Sequence, residues 1–309
     1  MSKDKKDFIL FDIIFCYTKI KSRGEDYMTN VLIDLGNYNI KYLSERRGCF
    51  SAKYSTKFNP NPEMFQRISF NGEMTYIGIG EYEREFNKAN KNYLPLLFYA
   101  IANATEESDI NLCLLLPVSQ MPNKEKFINK LKNNSFSFFI NGIPKTININ
   151  KVAVLPEGLV SFYGIEEKDD DILIIDIGSR TVNYASFVEG EIESNFTEKI
   201  GVLDLYSSIK DIENAKGKDL IEEQIERLIK NKRIIVESKV YLDFLKDILN
   251  RTKAKVNIKD YKVVFVGGGA LLLKPYIEAN TPAIIHEDSV YANLIGACKL
   301  CETMWKRGK

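Results

Sequence analysis

A twelve-residue pattern occurs twice in this chain, and it limits the possible folds more than any other feature of the sequence. Val31 to Tyr42 is VLIDLGNYNIKY and Leu173 to Tyr184 is LIIDIGSRTVNY, so the aspartate, the glycine and the final tyrosine of the two copies coincide. The copies lie 142 positions apart. This distance is too long for a solenoid repeat and about right for a duplicated domain. The repeat therefore predicts two related domains.

Each copy has the pattern of two antiparallel strands joined by a tight turn. In the second copy, Ile172 to Ile175 is a continuous aliphatic run, typical of a strand buried on both faces. Asp176 and Gly178 follow in the turn, and Thr181 to Phe187 alternates apolar and polar residues, which predicts a returning strand. Such a turn offers backbone N–H groups to an anion and a carboxylate to a hydrated cation. Two facing copies predict a site for a polyphosphate and Mg²⁺.

The first copy resembles the phosphate motif of a known family. Asp34-Leu35-Gly36-Asn37-Tyr38-Asn39-Ile40-Lys41 matches the D-x-G-N-x-N-x-K motif of the ParM-like plasmid-segregation actins, which belong to the actin, heat-shock-chaperone and sugar-kinase ATPase superfamily. The second copy is a looser match. Ser179 and Arg180 stand where the family usually has a second glycine and a small residue.

Later segments match the family in the same order along the chain. Pro156-Glu157-Gly158 corresponds to the family's segment with a water-orienting glutamate, and Gly267-Gly268-Gly269 to the glycines against which adenine lies. Asn293-Leu294-Ile295-Gly296 matches a late A-N-x-x-G segment. Lys218 to Arg233 is expected to be a long, highly charged helix, and its counterpart in the family closes over the adenosine. The resemblance covers about 30–309, nearly the whole chain.

The resemblance implies an α/β, actin-like fold. Two related domains would each contain a mixed β-sheet flanked by helices (ribonuclease-H-like), with a nucleotide cleft between them. Actin-like domain I is expected over 30–166, completed by a C-terminal helix at 289–309, and actin-like domain II over 167–288. Residues 1–29 are expected to be an N-terminal extension that is disordered or precedes the native start, because Met28 stands directly before the first strand. An autoregulatory arm is the alternative.

The resemblance also implies the residues of the site. Glu157 and Asp176 are the expected catalytic residues: Glu157 aims the attacking water, and Asp176 holds Mg²⁺ through water together with Asp34. For Glu157, the alternative is a carboxylate that only complements a helix N-terminus. The expected cofactors are ATP or ADP, with GTP as an alternative, and Mg²⁺. The expected nucleotide-binding residues are Asp34, Gly36, Asn37, Asn39, Lys41, Gly178, Ser179, Arg180, Thr181, Gly201, Gly267, Gly268 and Gly269.

Composition argues against several classes of function. The 309 residues include 43 basic and 42 acidic side chains, and a net charge of +1 argues against bulk electrostatic binding to nucleic acid. The single histidine, His286, argues against histidine-based catalysis and metal binding. Five cysteines without a regular framework indicate a reducing cytosol, and Cys298 and Cys301 are expected to be buried side chains of a helix. No apolar run approaches the ~20 residues of a transmembrane helix. We therefore expect a cytoplasmic protein that does not bind membranes.

The function implied by the resemblance is an ATPase that polymerises into filaments and segregates low-copy plasmid DNA. Its expected partners are further copies of itself and a DNA-binding adaptor protein on a centromere-like site. Sugar kinases of this fold need a catalytic aspartate aimed at a bound hydroxyl, for which the sequence offers no candidate. Chaperone ATPases carry an appended substrate-binding domain. Two alternatives stay open: an MreB-like or other bacterial cytoskeletal actin, and a nucleotide-binding scaffold with little turnover.

Overall fold

The computed structural model describes residues 28–166 and 170–306. Two β-sheets, one formed by residues before 157 and one by residues after 171, organise this part of the chain. The predicted N-terminal extension lies outside the described residues except for its last two positions. The predicted boundary at 166/167 falls between the two sheets, and the division into domains stays a prediction.

The first sheet has nine strands in the order β3-β2-β1-β7-β9-β8-β5-β6-β4. Strand β1 pairs antiparallel with β2 and parallel with β7, and β9 continues the parallel part. The strands are β1 (Thr29–Leu35), β2 (Asn39–Leu43), β3 (Arg47–Ser51), β4 (Tyr54–Ser55), β5 (Arg67–Phe70), β6 (Glu73–Ile77), β7 (Asp109–Leu116), β8 (Asn134–Ile140) and β9 (Ile143–Pro156).

The second sheet has five strands in the order β12-β11-β10-β13-β14. They are β10 (Ile172–Ile177), β11 (Val182–Val188), β12 (Glu191–Glu198), β13 (Lys262–Val266) and β14 (Ile284–Ile285). Three antiparallel strands are followed by two parallel ones. The same arrangement holds for β3-β2-β1-β7-β9. The repeat in the sequence is therefore a repeat of sheet topology, with the two aspartates on the central strands.

Helices cover the faces of both sheets. They are α1 (Leu94–Ala104), α2 (Lys124–Leu131), α3 (Val202–Asn214), α4 (Glu222–Lys230), α5 (Ser238–Lys253), α6 (Gly268–Leu272), α7 (Lys274–Asn280) and α8 (Ala292–Lys306). The charged stretch 218–233 is helical only in α4, which is shorter than expected. Gly217 precedes α4 and Lys232 follows it. Both residues adopt positive φ values, 89° and 55°, which an α-helix does not accommodate. No helix of the described residues is both long and apolar enough to cross a bilayer.

The central strands are covered on both faces, as their continuous apolar runs predict. In β1, Ile33 packs in the cluster that contains α1, whereas Leu32 faces the cluster that contains Leu294 of α8. All six residues of β10 are buried. Ile175 faces helices α3 and α5, and Ile174 faces the 3₁₀ segment Leu159–Gly164. Both strands are therefore fixed on two sides.

Helix α8 returns to the first sheet and packs on the 3₁₀ segment at very short range. A Cβ atom at Gly296 would lie only 1.8 Å from the carbonyl oxygen of Val160, so a glycine is required by the close approach of two backbones. Cys301, one turn further along α8, is buried as the sequence predicts, and Cys298 is half-buried.

This contact yields a stability prediction. Helix propensity alone would make Gly296→Ala stabilising by about 1 kcal/mol, whereas the steric clash is expected to make it destabilising by about 1–3 kcal/mol. Denaturation midpoints of the parent and the variant decide the sign. Lys299→Ala, at an exposed position of the same helix, is the control and should change the midpoint little. A stabilised Gly296→Ala protein would contradict the packing described here.

Candidate functional site

A cavity of about 390 Å³ lies between hairpin 1 (β1–β2) and hairpin 2 (β10–β11), and its volume is within the range of small-molecule sites. It is lined by every predicted catalytic and binding residue except Gly201. Its other lining residues are Tyr38, Lys88, Pro117, Ile177, Val202, Leu203, Tyr206, Glu226, Leu271, Leu272 and Asn293. The structure thus brings both copies of the repeated pattern and the glycine segment to one place.

Asp34 lies between two lysines. The register of hairpin 1 pairs Asp34 with Lys41, whose Nζ donates to Asp34 Oδ2 at 2.9 Å. Lys88 Nζ lies 3.4 Å from the other carboxylate oxygen. Burial raises the pKa of Asp34, but the charges of Lys41 and Lys88 outweigh it and lower the pKa to about 2. Asp34 is therefore ionised and already compensated by positive charge.

Lys88 is the main site residue that sequence reasoning missed. It begins a short 3₁₀ segment (Lys88–Asn90) before α1 and is only 3% exposed. Its Nζ donates to Glu157 Oε1 at 2.5 Å. Burial acts to lower the pKa of Lys88, yet the charges of Glu157 and Asp34 raise it above its usual value. No local pattern marks this lysine, because the surrounding segment is polar and rich in lysine and asparagine.

Glu157 is held by residues from both halves of the chain. Its Oε1 atom accepts from Lys88, and its Oε2 atom accepts from Asn183 Nδ2 at 3.2 Å. Asn183 lies opposite Asp176 in hairpin 2, at the position that Lys41 occupies in hairpin 1. Burial raises the pKa of Glu157, and Lys88 offsets only part of this rise. A buried, oriented carboxylate with a raised pKa is suited to position a water molecule and accept its proton.

Asn293 connects the Glu157 segment to Asp176. From the first turn of α8, its Nδ2 atom donates to Asp176 Oδ2 at 2.8 Å, and its Oδ1 atom accepts from the N–H of Gly158 at 2.8 Å. Asn293 belongs to the segment that matches the family's A-N-x-x-G pattern, and this pattern alone predicted no role for its side chain. Gly267, at φ +89°, borders the other carboxylate oxygen, since a Cβ there would lie 2.5 Å from Asp176 Oδ1.

The charges of the cavity fit a polyphosphate that enters together with a divalent cation. Four carboxylates line it against three cationic side chains. Burial raises the pKa of Asp176, and no lysine or arginine of the described residues forms an ion pair with it. Asp176 is thus better placed than the compensated Asp34 to hold a hydrated Mg²⁺. No three His, Cys, Asp or Glu side chains within 28–166 and 170–306 converge on one metal position, and the water-mediated Mg²⁺ site stays a prediction.

Gly201 lies behind the turn of hairpin 2 and does not line the cavity. A Cβ there would lie 2.5 Å from the backbone of Ser179. The first N–H groups of α3 bind the same turn, with Val202 N donating to Gly178 O at 3.1 Å and Leu203 N to Ser179 O at 2.9 Å. The close contact at Gly201 therefore fixes the position of the turn.

Contacts across the mouth of the cavity join the first half of the chain to α4. Tyr38 donates a hydrogen bond to Glu226 and stacks on Tyr82, with ring centroids 4.8 Å apart. Lys53 forms an ion pair with Glu223 at 2.7 Å. Glu226 is the charged residue of the described stretch 218–233 that lines the cavity, which the sequence alone did not identify.

Comparisons with known proteins agree with the fold described above. Residues 33–159 match the family model described as "Actin like proteins N terminal domain". The two mixed sheets flanked by helices form an actin-like fold. This fold class, predicted from the sequence, is confirmed. No curated protein shows significant similarity to the chain.

Among solved structures, the chain is similar to ParM proteins and to an archaeal actin homologue. Apo pSK41 ParM superposes with a TM-score of 0.67 at 18% identity, covering 91% of this chain and 98% of that one. The archaeal actin homologue Ta0583 in complex with ADP gives 0.75 at 18%, covering 89% and 100%. A 15-stranded ParM filament from Clostridium botulinum gives 0.74 at 16%, covering 89% and 99%. The resemblance to ParM-like actins is confirmed, and at these identities it concerns the fold.

Proposed function

We propose that this chain is an actin-like nucleoside triphosphatase that polymerises with bound nucleotide and segregates low-copy plasmid DNA. The observation that carries the proposal is the cavity between the two hairpins, where Asp34, Asp176 and Glu157 meet the glycine segment. The fold shared with ParM supports it, as does the ADP complex of the archaeal homologue.

In this proposal the cavity binds ATP or ADP, with GTP as an alternative, in one orientation. The turns of the two hairpins cradle the phosphates through backbone N–H groups, and Lys41 faces them from β2. The base lies against Gly267, Gly268 and Gly269, where bare backbone leaves room for a flat ring. Leu271 and Leu272 supply apolar surface beside it.

Hydrolysis in this proposal depends on positioning. Bound Mg²⁺ would neutralise charge on the phosphates, and Asp176, with Asp34 as a second candidate, would hold it through water. Glu157 orients the attacking water and accepts its proton, because Lys88 and Asn183 fix both of its oxygens. Asn293 binds both Gly158 and Asp176 and so fixes the position of the Glu157 segment relative to Asp176.

The proposed partners are further copies of this chain and a DNA-binding adaptor on a centromere-like site. The similar proteins include filaments, which supports self-association. A net charge of +1 leaves little electrostatic attraction for DNA, so contact with the cargo goes through the adaptor. We place the protein in the cytoplasm.

Nucleotide-dependent assembly is the first test. The fraction of purified protein that sediments should rise when Mg²⁺ and ATP or GTP are added, and electron microscopy of the pellet should show filaments. Phosphate release, measured in parallel, should follow assembly. Filaments without phosphate release would favour the alternative of a scaffold with little turnover.

The control is Asp176→Asn, which keeps the size of the side chain and removes its charge. This variant should lose the Mg²⁺-dependent part of nucleotide binding and assemble poorly. A parent protein that stays monomeric with every nucleotide and at every concentration tested would contradict the filament function. Unchanged binding by Asp176→Asn would move the metal site elsewhere.

A further inference from the structure

Arg180 occupies the tip of hairpin 2, and its side chain reaches from the second half of the chain to the first. It lines the cavity, and its Nη1 atom donates to the backbone carbonyl of Arg84 at 2.8 Å. The corresponding residue of hairpin 1 is Tyr38, which crosses the cavity mouth in the opposite direction to Glu226. Both copies of the repeat thus place a large side chain across the cleft at the same position.

Arg180 differs from the two other cationic side chains that line the cavity. Lys41 is paired with Asp34, and Lys88 is paired with Glu157 and Asp34. Within the described residues, Arg180 forms no ion pair with a carboxylate, and its side chain donates a hydrogen bond to the neutral carbonyl of Arg84. A guanidinium carries five N–H donors in a planar fork. Most of its donors and its whole charge are therefore available to a ligand in the cavity.

Arg180 is linked to both segments of the chain that hold Glu157. Asn183, three positions further along hairpin 2, donates to Glu157 Oε2 at 3.2 Å. The Arg84 carbonyl that Arg180 binds lies four positions before Lys88, whose Nζ atom donates to Glu157 Oε1 at 2.5 Å. These contacts place Arg180 on the Glu157 side of the cavity.

We propose that the Arg180 side chain binds the terminal phosphate of a nucleoside triphosphate and gives the site a preference for triphosphate over diphosphate. This inference rests on the proposed function, in which Glu157 positions water at the phosphate that is released. That phosphate must lie on the Glu157 side of the cavity. Of the three cationic side chains that line the cavity, Arg180 is the one that is not paired with a carboxylate of the described residues. The planar fork matches phosphate oxygens in a bidentate geometry. A diphosphate leaves this position empty, and only the triphosphate gains the contact.

The contact with Arg84 holds the Arg180 side chain in place before a ligand binds. Arg180 can keep its bond to the Arg84 carbonyl with one N–H group while the remaining groups bind phosphate. The link between hairpin 2 and the Arg84 segment of the first half is therefore present with or without a terminal phosphate.

The test compares affinities for a non-hydrolysable β,γ-imido analogue of ATP and for ADP, both with Mg²⁺, by isothermal titration of the full chain. Arg180→Met keeps the length of the side chain and removes the charge, and Arg180→Lys keeps the charge without the fork. Arg84→Met is the matched control, because it removes a nearby exposed charge and leaves the carbonyl in place. We expect Arg180→Met to weaken the triphosphate analogue at least about tenfold, the scale of one charge-assisted hydrogen bond, with ADP changed less than about twofold. Arg180→Lys should fall between the parent and Arg180→Met.

Several results would overturn the inference. If Arg180→Met lost equal affinity for the analogue and for ADP, Arg180 would have a general role in nucleotide binding. If its affinity for the analogue were unchanged, Arg180 would not contact the bound nucleotide. If Arg84→Met weakened binding of the analogue as much as Arg180→Met, the change in total charge would explain the loss. Melting temperatures confirm that the variants are folded. A parent protein that binds neither nucleotide would refute the proposed function, and the inference with it, whereas a parent that binds both alike refutes only the inference.

Discussion

Replacing Lys88 with methionine is expected to lower the free energy of unfolding by about 3–5 kcal/mol at neutral pH, the range found when one partner of a buried ion pair is removed. Lys88 is 3% exposed and contacts Glu157 and Asp34. Asp34 keeps Lys41 as a partner in the variant. The loss of stability therefore comes mainly from Glu157, which is left as a buried charge with one amide contact. Denaturant titrations of the parent and the variant measure the difference.

The loss should depend on pH, and its sign follows from Glu157. Burial already raises the pKa of Glu157, and Lys88 counteracts this rise, so the pKa increases further in Lys88→Met. A carboxyl group with a raised folded-state pKa stabilises the fold below its unfolded-state pKa, and this contribution is lost as the pH rises through the folded-state value. The deficit of the variant should therefore be larger at pH 8 than at pH 5.

Two further variants separate the ion pair from the packing of the side chain. In Lys88→Met/Glu157→Met no unpaired charge remains at the pair, and most of the lost stability should return, because an apolar pair often replaces a buried ion pair at little cost. Lys239→Met removes an exposed lysine paired with Asp243 and should change the stability little, because solvent screens exposed ion pairs. If Lys88→Met were as harmless as Lys239→Met, the buried pair would not exist in solution.

Glu157→Gln is expected to slow nucleotide hydrolysis by about 10²-fold or more, the usual scale for losing a positioned proton acceptor. Glutamine keeps the size of the side chain and the contact with Asn183, so nucleotide binding and polymerisation should stay near parent levels. Filaments of the variant should then persist, because the triphosphate that they contain is not converted. The measurement is phosphate release per protomer in assembled protein, together with the rate of disassembly.

The control for this prediction is Glu125→Gln, an exposed glutamate in the first turn of α2. It tests the alternative that Glu157 only complements a helix N-terminus, in which case both variants should change stability slightly and leave turnover alone. Parent-like phosphate release by Glu157→Gln would remove Glu157 from the mechanism. Loss of nucleotide binding would instead assign it a structural role.

Features that depend on neighbouring residues could be predicted from the sequence alone. Buried strands, glycine turns and alternating strands have local patterns, and the 142-residue repeat placed Asp34 and Asp176 in equivalent hairpins. The two hairpins occupy equivalent places in two sheets of the same topology. The residues that were predicted from the local hairpin patterns therefore line one cavity. Local patterns were less informative for edge elements. β12 was not predicted, and the stretch over 218–233 was expected to be a longer helix than α4.

The side chains that surround those aspartates could not be predicted from local patterns, because they come together only in the folded chain. Lys88 reaches Glu157 across 69 positions, and Asn293 reaches Asp176 across 117. Neither residue has a neighbour in the sequence that marks its role. Their placement results from the packing of α8 and of the segment before α1 against the central strands. A buried charge must be contacted by oppositely charged or hydrogen-bonding groups in the folded state. That requirement arises only after strands and helices far apart in the chain have come together.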